Sequence, residues 1–210
     1  MHPRTAQFIE HVRRKAEANG IAFNLANSVV VDVGHGIMSS GYYESSAELA
    51  VGVAKPERDW LPVLAHEFCH LEQDLAQCSE WCDSDVGNID SSELLDMWLE
   101  GKNFSDRKLL EALHKTKVCE LDCERRTVEL LKRWKFKGIS AARYAQRAGC
   151  YMQFHNYILI RRKWYPKGRP PYRCKAVQAR MPTNLDGDYA EISPEVVLLF
   201  DRYFGYGGAR

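Results

Sequence analysis

The sequence predicts an α+β protein, with a small sheet followed by several helices, on three observations. Runs of β-branched and apolar residues cluster before residue 55. Apolar residues recur at steps of three and four after it. No stretch approaches the roughly 18 consecutive apolar residues that a membrane span needs. With 210 residues and 45% hydrophobic side chains, a single domain is expected over 1–210. Its core would occupy about 20–135, with a helical C-terminal extension at about 138–210.

Residues 4–19 read as an amphipathic helix, with Phe8, Ile9 and Val12 on one side, stopped by Gly20. The segment lacks the apolar run and small-residue cleavage site of a signal peptide, so a cytoplasmic location is expected. Residues 21–33 are strand-like, and Gly34-His35-Gly36 breaks them. A second strand is expected at about 47–54, ended by Lys55-Pro56. Asp59 then suits an N-cap, with Pro62 in the first helical turn. From there a helix runs to about Ala76, its stripe formed by Trp60, Leu64, Phe68, Leu71 and Leu75. Residues 79–92 look like polar turns. Helices are expected at 92–100, 106–114 and 116–135, and another from Ser140 as far as Trp164. Prolines and glycines make 166–171 irregular, and a last helix over 193–204 is capped by Ser193 with Pro194 at its first position.

The chemistry concentrates in His66-Glu67-Phe68-Cys69-His70, which fits H-E-x-x-H. On a helix, positions i and i+4 share a face, so both imidazoles can reach one ion. Glu67 lies about 100° around from His66, where its carboxylate can meet a metal-bound water without being a ligand. Both histidines point well away from the apolar stripe, unlike ordinary core histidines.

A catalytic zinc needs a third protein ligand and an open position. The extended motif would need Gly at 73 and His at 76; the chain has Gln73 and Ala76. The third ligand is therefore expected elsewhere, with Glu120 the leading candidate. Glu120, Glu124, Thr127 and Leu131 share one face of the 116–135 helix. Glu120 can ligate while Glu124 holds a histidine from behind; the reverse assignment stays open, as does a merely solvated Glu–Arg face.

This order of strand, edge strand, HExxH helix and glutamate helix resembles the gluzincin-like zinc metallopeptidases. The segment DWLPVLAHEFCHLEQ resembles metallopeptidases encoded by bacteriophages and bacteria, and ELDCERRTVELL is similar to the glutamate helix of small repressor-cleaving proteases. The resemblance covers roughly 20–135 and is specific at HEFCH. It implies a zincin-type sheet packed on the HExxH and glutamate helices, one zinc ion per chain, an edge strand that binds an extended peptide, and a peptide or protein substrate. Where that family often has E-x-x-x-D, this chain has Glu120-Leu-Asp-Cys-Glu124.

Other features carry weaker signals. Seven cysteines, an odd number, suit reduced thiols packed as small apolar groups. Cys78, Cys82, Cys119 and Cys123 could alternatively hold a structural zinc. Net charge is +1, yet 71–101 holds no Lys or Arg while 161–175 is basic and interleaved with Trp164, Tyr165 and Tyr172. Such a segment can bind single-stranded nucleic acid, although a solvated or internally docked face is the favoured reading. Tyr151 and His155 share a face and could stabilise an oxyanion, with core packing the competing use.

Overall fold

The computed structural model describes residues 1–34 and 38–206. Helix α1 (Pro3–Ala18) precedes β1 (Ala22–Ala26), β2 (Val31–Asp32), β3 (Met38–Ser39), β4 (Gly41–Glu44) and β5 (Glu48–Gly52). Then come α2 (Glu57–Leu75), α3 (Ser79–Cys82), the hairpin β6 (Asp85–Val86) and β7 (Ile89–Asp90), and α4 (Ser91–Leu99). Helices α5 (Asp106–Trp134), α6 (Ala141–Arg161), α7 (Lys175–Gln178) and α8 (Pro194–Phe204) complete it, with a 3-10 turn at Pro171–Arg173. The chain is thus α+β. It forms two compact units, residues 1–82 with 123–141, and residues 83–122 with 142–210.

In the first unit, the three-stranded sheet has the order β1-β5-β4. β5 pairs parallel with β1 and antiparallel with β4, with Leu49 opposite both Phe23 and Tyr43. The 47–54 segment, expected from the family layout to be the edge strand, is therefore the central one. Its Leu49, Ala50, Val51 and Gly52 are all buried, as a strand covered on both faces requires. The two edges are β1 and β4, and β4 is a strand that the sequence pattern does not predict. Gly41 opens it because α2 lies so close: a Cβ there would stand 2.7 Å from Val63 Cγ1. The expected strand over 21–33 is interrupted between Ala26 and Val31, where the chain bends. The break at Gly34-His35-Gly36 lies partly outside the described residues.

α2 begins at Glu57, with Pro56 as its N-cap residue, so Asp59 is not the cap and Pro62 lies inside the helix. The reason is tertiary. The Glu57 carboxylate accepts hydrogen bonds from the Thr5 hydroxyl and the His2 backbone N–H, which fixes the first turn ahead of Asp59. α2 buries Leu61, Leu64, Ala65, Phe68 and Leu71, and Phe68 meets Phe8 of α1 edge-on at 5.9 Å between ring centres. Phe8 also packs on Trp134 and Phe136.

The two helices expected at 106–114 and 116–135 are one, α5, with no glycine or proline to divide it. Its first stretch belongs to the second unit. There Leu109, Ala112 and Leu113 pack with Val86, Leu94, Leu95 and Trp98. Asp201, on α8, accepts from the Tyr157 hydroxyl at 2.7 Å and pairs with the Arg161 guanidinium, which holds its carboxyl below the usual range. The buried Lys117 ammonium donates to Asn156 Oδ1 at 2.8 Å and to the Tyr189 carbonyl.

Candidate metal centre

Helical spacing brings the two motif histidines together as expected. The rings of His66 and His70 stand edge to face, 4.7 Å apart, and their Nε2 atoms are separated by 3.1 Å. Two nitrogens on one zinc at a tetrahedral angle lie about 3.3 Å apart, given Zn–N bonds of about 2.0–2.1 Å. The observed spacing is a small side-chain adjustment from that value. Glu67 is buried between them in sequence, at 9% exposure.

The tautomer of His70 is set from behind. Its Nδ1 lies 2.8 Å from Oε1 of the fully buried Gln73, an oxygen that can only accept. Nδ1 therefore carries the proton, and Nε2 presents its lone pair toward His66. Gln73, which rules out the longer motif, also stands three residues after a helical histidine, a spacing that lets the two side chains meet. Gln73→Leu removes this acceptor while keeping the volume. Zinc affinity, measured by chelator competition, is expected to fall about 10–100-fold; unchanged affinity would show that Gln73 does not orient His70.

His66 is approached on its other nitrogen by α5. Glu124 Oε1 lies 3.6 Å from His66 Nδ1, while Glu124 Oε2 is buried with no hydrogen-bond partner. A buried carboxylate oxygen in that position is costly without a cation nearby. Two imidazoles with a buried carboxylate behind one of them fit a divalent ion of zinc's preferences.

Cys123 is the residue the sequence reading missed at this place. It is fully buried; its thiol donates to the His66 carbonyl at 3.3 Å and lies 3.5 Å from His66 Nδ1. One donor atom each from His66, His70 and Cys123 fall within 4.8 Å of one another. No local pattern could have revealed this, because Cys123 meets His66 only through the packing of α5 on α2. Cys69, inside the motif, faces away from such chemistry: burial pushes its thiol up to about 12, so it stays protonated.

Glu120 lies half-buried on α5, ahead of Cys123, in the stretch that belongs to the second unit. Tyr151 and His155 also belong to the second unit. Their rings meet at 4.6 Å, and the buried His155 places Nδ1 3.0 Å from the Tyr151 carbonyl.

The basic segment is largely occupied within the second unit. Besides Arg161 on Asp201, Arg162 donates to the carbonyls of Trp98 and Lys102 at 2.8 and 2.9 Å, closing the C-terminal end of α4. Arg169 donates to the Tyr203 carbonyl at 2.9 Å, and Lys163 lies over the Tyr206 ring. Trp164 and Tyr165 both pack on Phe154. No helix among the described residues is long and apolar enough to cross a membrane. Comparison with protein families, curated proteins and solved structures finds no match for this chain.

Proposed function

We propose that this protein is a zinc-dependent peptidase. The observation that carries the reading is the HExxH helix itself: two imidazoles with facing Nε2 atoms, a carboxylate at the intervening position, and a buried acidic group behind His66. His66 and His70 would hold one zinc ion per chain, with Glu120 as the third ligand and Glu124 orienting His66. When bound, zinc supplies Lewis acidity, which lowers the pKa of water toward about 7 and polarises a scissile carbonyl. Glu67 accepts the proton of the attacking water on its carboxylate and delivers it to the departing amine. The free edge of β4 offers backbone groups with which an extended peptide substrate can pair.

The basic segment does not lead to a nucleic-acid reading, because several of its cations and aromatic rings already serve internal contacts. A cytoplasmic setting in a bacterial or phage-infected cell accompanies the resemblance.

The test is cleavage of a peptide library, followed by mass spectrometry, with activity lost to a chelator and restored by zinc. In the same assay Glu120→Ala is expected to remove activity and to weaken zinc more than Glu124→Ala does, the latter by about 10–100-fold. Reversal of that order exchanges the two roles; no effect from either places the third ligand elsewhere.

A further inference from the structure

The end of α2 turns the chain back over the metal-binding face. The Cys78 N–H bonds the Gln73 carbonyl at 3.2 Å and the Gln77 N–H bonds the Asp74 carbonyl at 2.9 Å, a Schellman closure. Its left-handed position is taken by Gln77, at φ 49°, where glycine is usual. The Gln77 amide donates to the Asp74 carbonyl at 2.6 Å, which helps hold this conformation. The short helix α3 that follows lays the Trp81 indole beside His70, at 5.6 Å between ring centres.

A second ring completes the arrangement from the sheet. Tyr43, on the edge strand β4, lies 5.7 Å from Trp81. Its hydroxyl donates to Asp74, which also accepts from the Ser45 hydroxyl at 2.6 Å. Asp74 is one helical turn beyond His70, so the same helix that presents the imidazole anchors the tyrosine. Both rings are half-buried. Two half-buried rings, held from two sides beside His70 and the edge strand β4, make an apolar wall where a substrate side chain would lie.

We infer that Trp81 and Tyr43 form a side-chain subsite next to the metal centre, selecting peptides with an aromatic or large aliphatic residue adjoining the scissile bond. This rests on the peptidase reading above. Aromatic and aliphatic surface gains from burial against the indole, whereas a small or acidic side chain does not; an acid would also face the nearby Asp74 carboxylate.

Amino-acid hydroxamates test it without turnover, because the hydroxamate ligates zinc and leaves the side chain to probe the wall. Binding of glycine, leucine, phenylalanine and aspartate hydroxamates to the zinc-loaded protein is measured by calorimetry. Phenylalanine hydroxamate is expected to bind about 10-fold tighter than the glycine compound, with leucine between them and aspartate weakest. In Trp81→Ala the phenylalanine preference should shrink to within about 2-fold, while glycine hydroxamate keeps its affinity and so reports an intact metal site. Equal binding of the four compounds to the unsubstituted protein overturns the subsite, as does a preference that survives Trp81→Ala. Failure of every hydroxamate to bind overturns the metal reading itself. The four-compound series on the unsubstituted protein decides the matter even where Trp81→Ala does not fold.

Discussion

Replacing either motif histidine with alanine is expected to bring bound zinc from about one ion per chain to none measurable. His66 and His70 would supply two of three protein ligands, so each loss should exceed the roughly 10–100-fold cost of removing an orienting partner. Elemental analysis of the purified proteins, after reconstitution with excess zinc, measures it. Folding must be followed beside it, because both substitutions strand buried groups. His70→Ala removes the His70 Nδ1 contact to Gln73 Oε1. His66→Ala removes the group facing the Glu124 carboxylate. Circular dichroism therefore accompanies each measurement, and zinc should raise the melting temperature of the unsubstituted protein but not of the variants. A ligand present at about 1,000 times its Kd stabilises by roughly 4 kcal/mol, a shift of several degrees for a chain of this length. If the unsubstituted protein takes up no transition metal, the peptidase reading falls with it.

What the sequence disclosed and what it hid divide along physical lines. The histidine pair was legible because i, i+4 spacing on a helix is a local property, and the apolar steps from Trp60 to Leu71 assigned that helix without tertiary information. The last helix was legible for the same reason: Ser193 caps it through a bond from the Val196 N–H at 3.3 Å, with Pro194 following. The start of α2 was misplaced because Glu57 is held by Thr5 and His2, residues more than fifty positions away. β4 escaped notice because four residues, Gly41-Tyr42-Tyr43-Glu44, are too short for an alternation to register. Its pairing with β5 defines it. α5 is one helix from Asp106 to Trp134, with Leu113, Lys117, Leu121, Glu124, Val128 and Leu131 buried along one face at steps of three and four, a stripe too mixed in polarity to read as continuous in the sequence.

The candidate site shows the same division. Gln73 could have been found from its spacing to His70. Cys123 could not, since only the approach of α5 brings its sulfur to His66. Trp81 was hidden by a turn that breaks a local rule: a left-handed Gln77 stands where the usual signal is glycine. Here the departure leads directly to the ring beside His70.

Glu67→Gln separates catalysis from structure. The substitution keeps the size of a buried side chain and its capacity to hydrogen-bond, so zinc content should stay at the unsubstituted level. Stability should change by no more than about 1 kcal/mol. The amide, however, cannot accept the proton of the attacking water. Turnover of any peptide identified in the library assay is expected to fall by at least about 100-fold, the lower bound for a positioned general base. The loss should appear in kcat, with KM little changed, because in the proposed reaction Glu67 would act on the attacking water rather than on the bound peptide. Comparison with His66→Ala is informative: the histidine variant loses metal and activity together, whereas Glu67→Gln loses activity alone. Were zinc only a staple for the fold, Glu67→Gln would be silent in every assay while the histidine variants lost stability. A zinc-loaded Glu67→Gln protein that cleaves the peptide at the unsubstituted rate removes Glu67 from the reaction and leaves the water to be activated by another group.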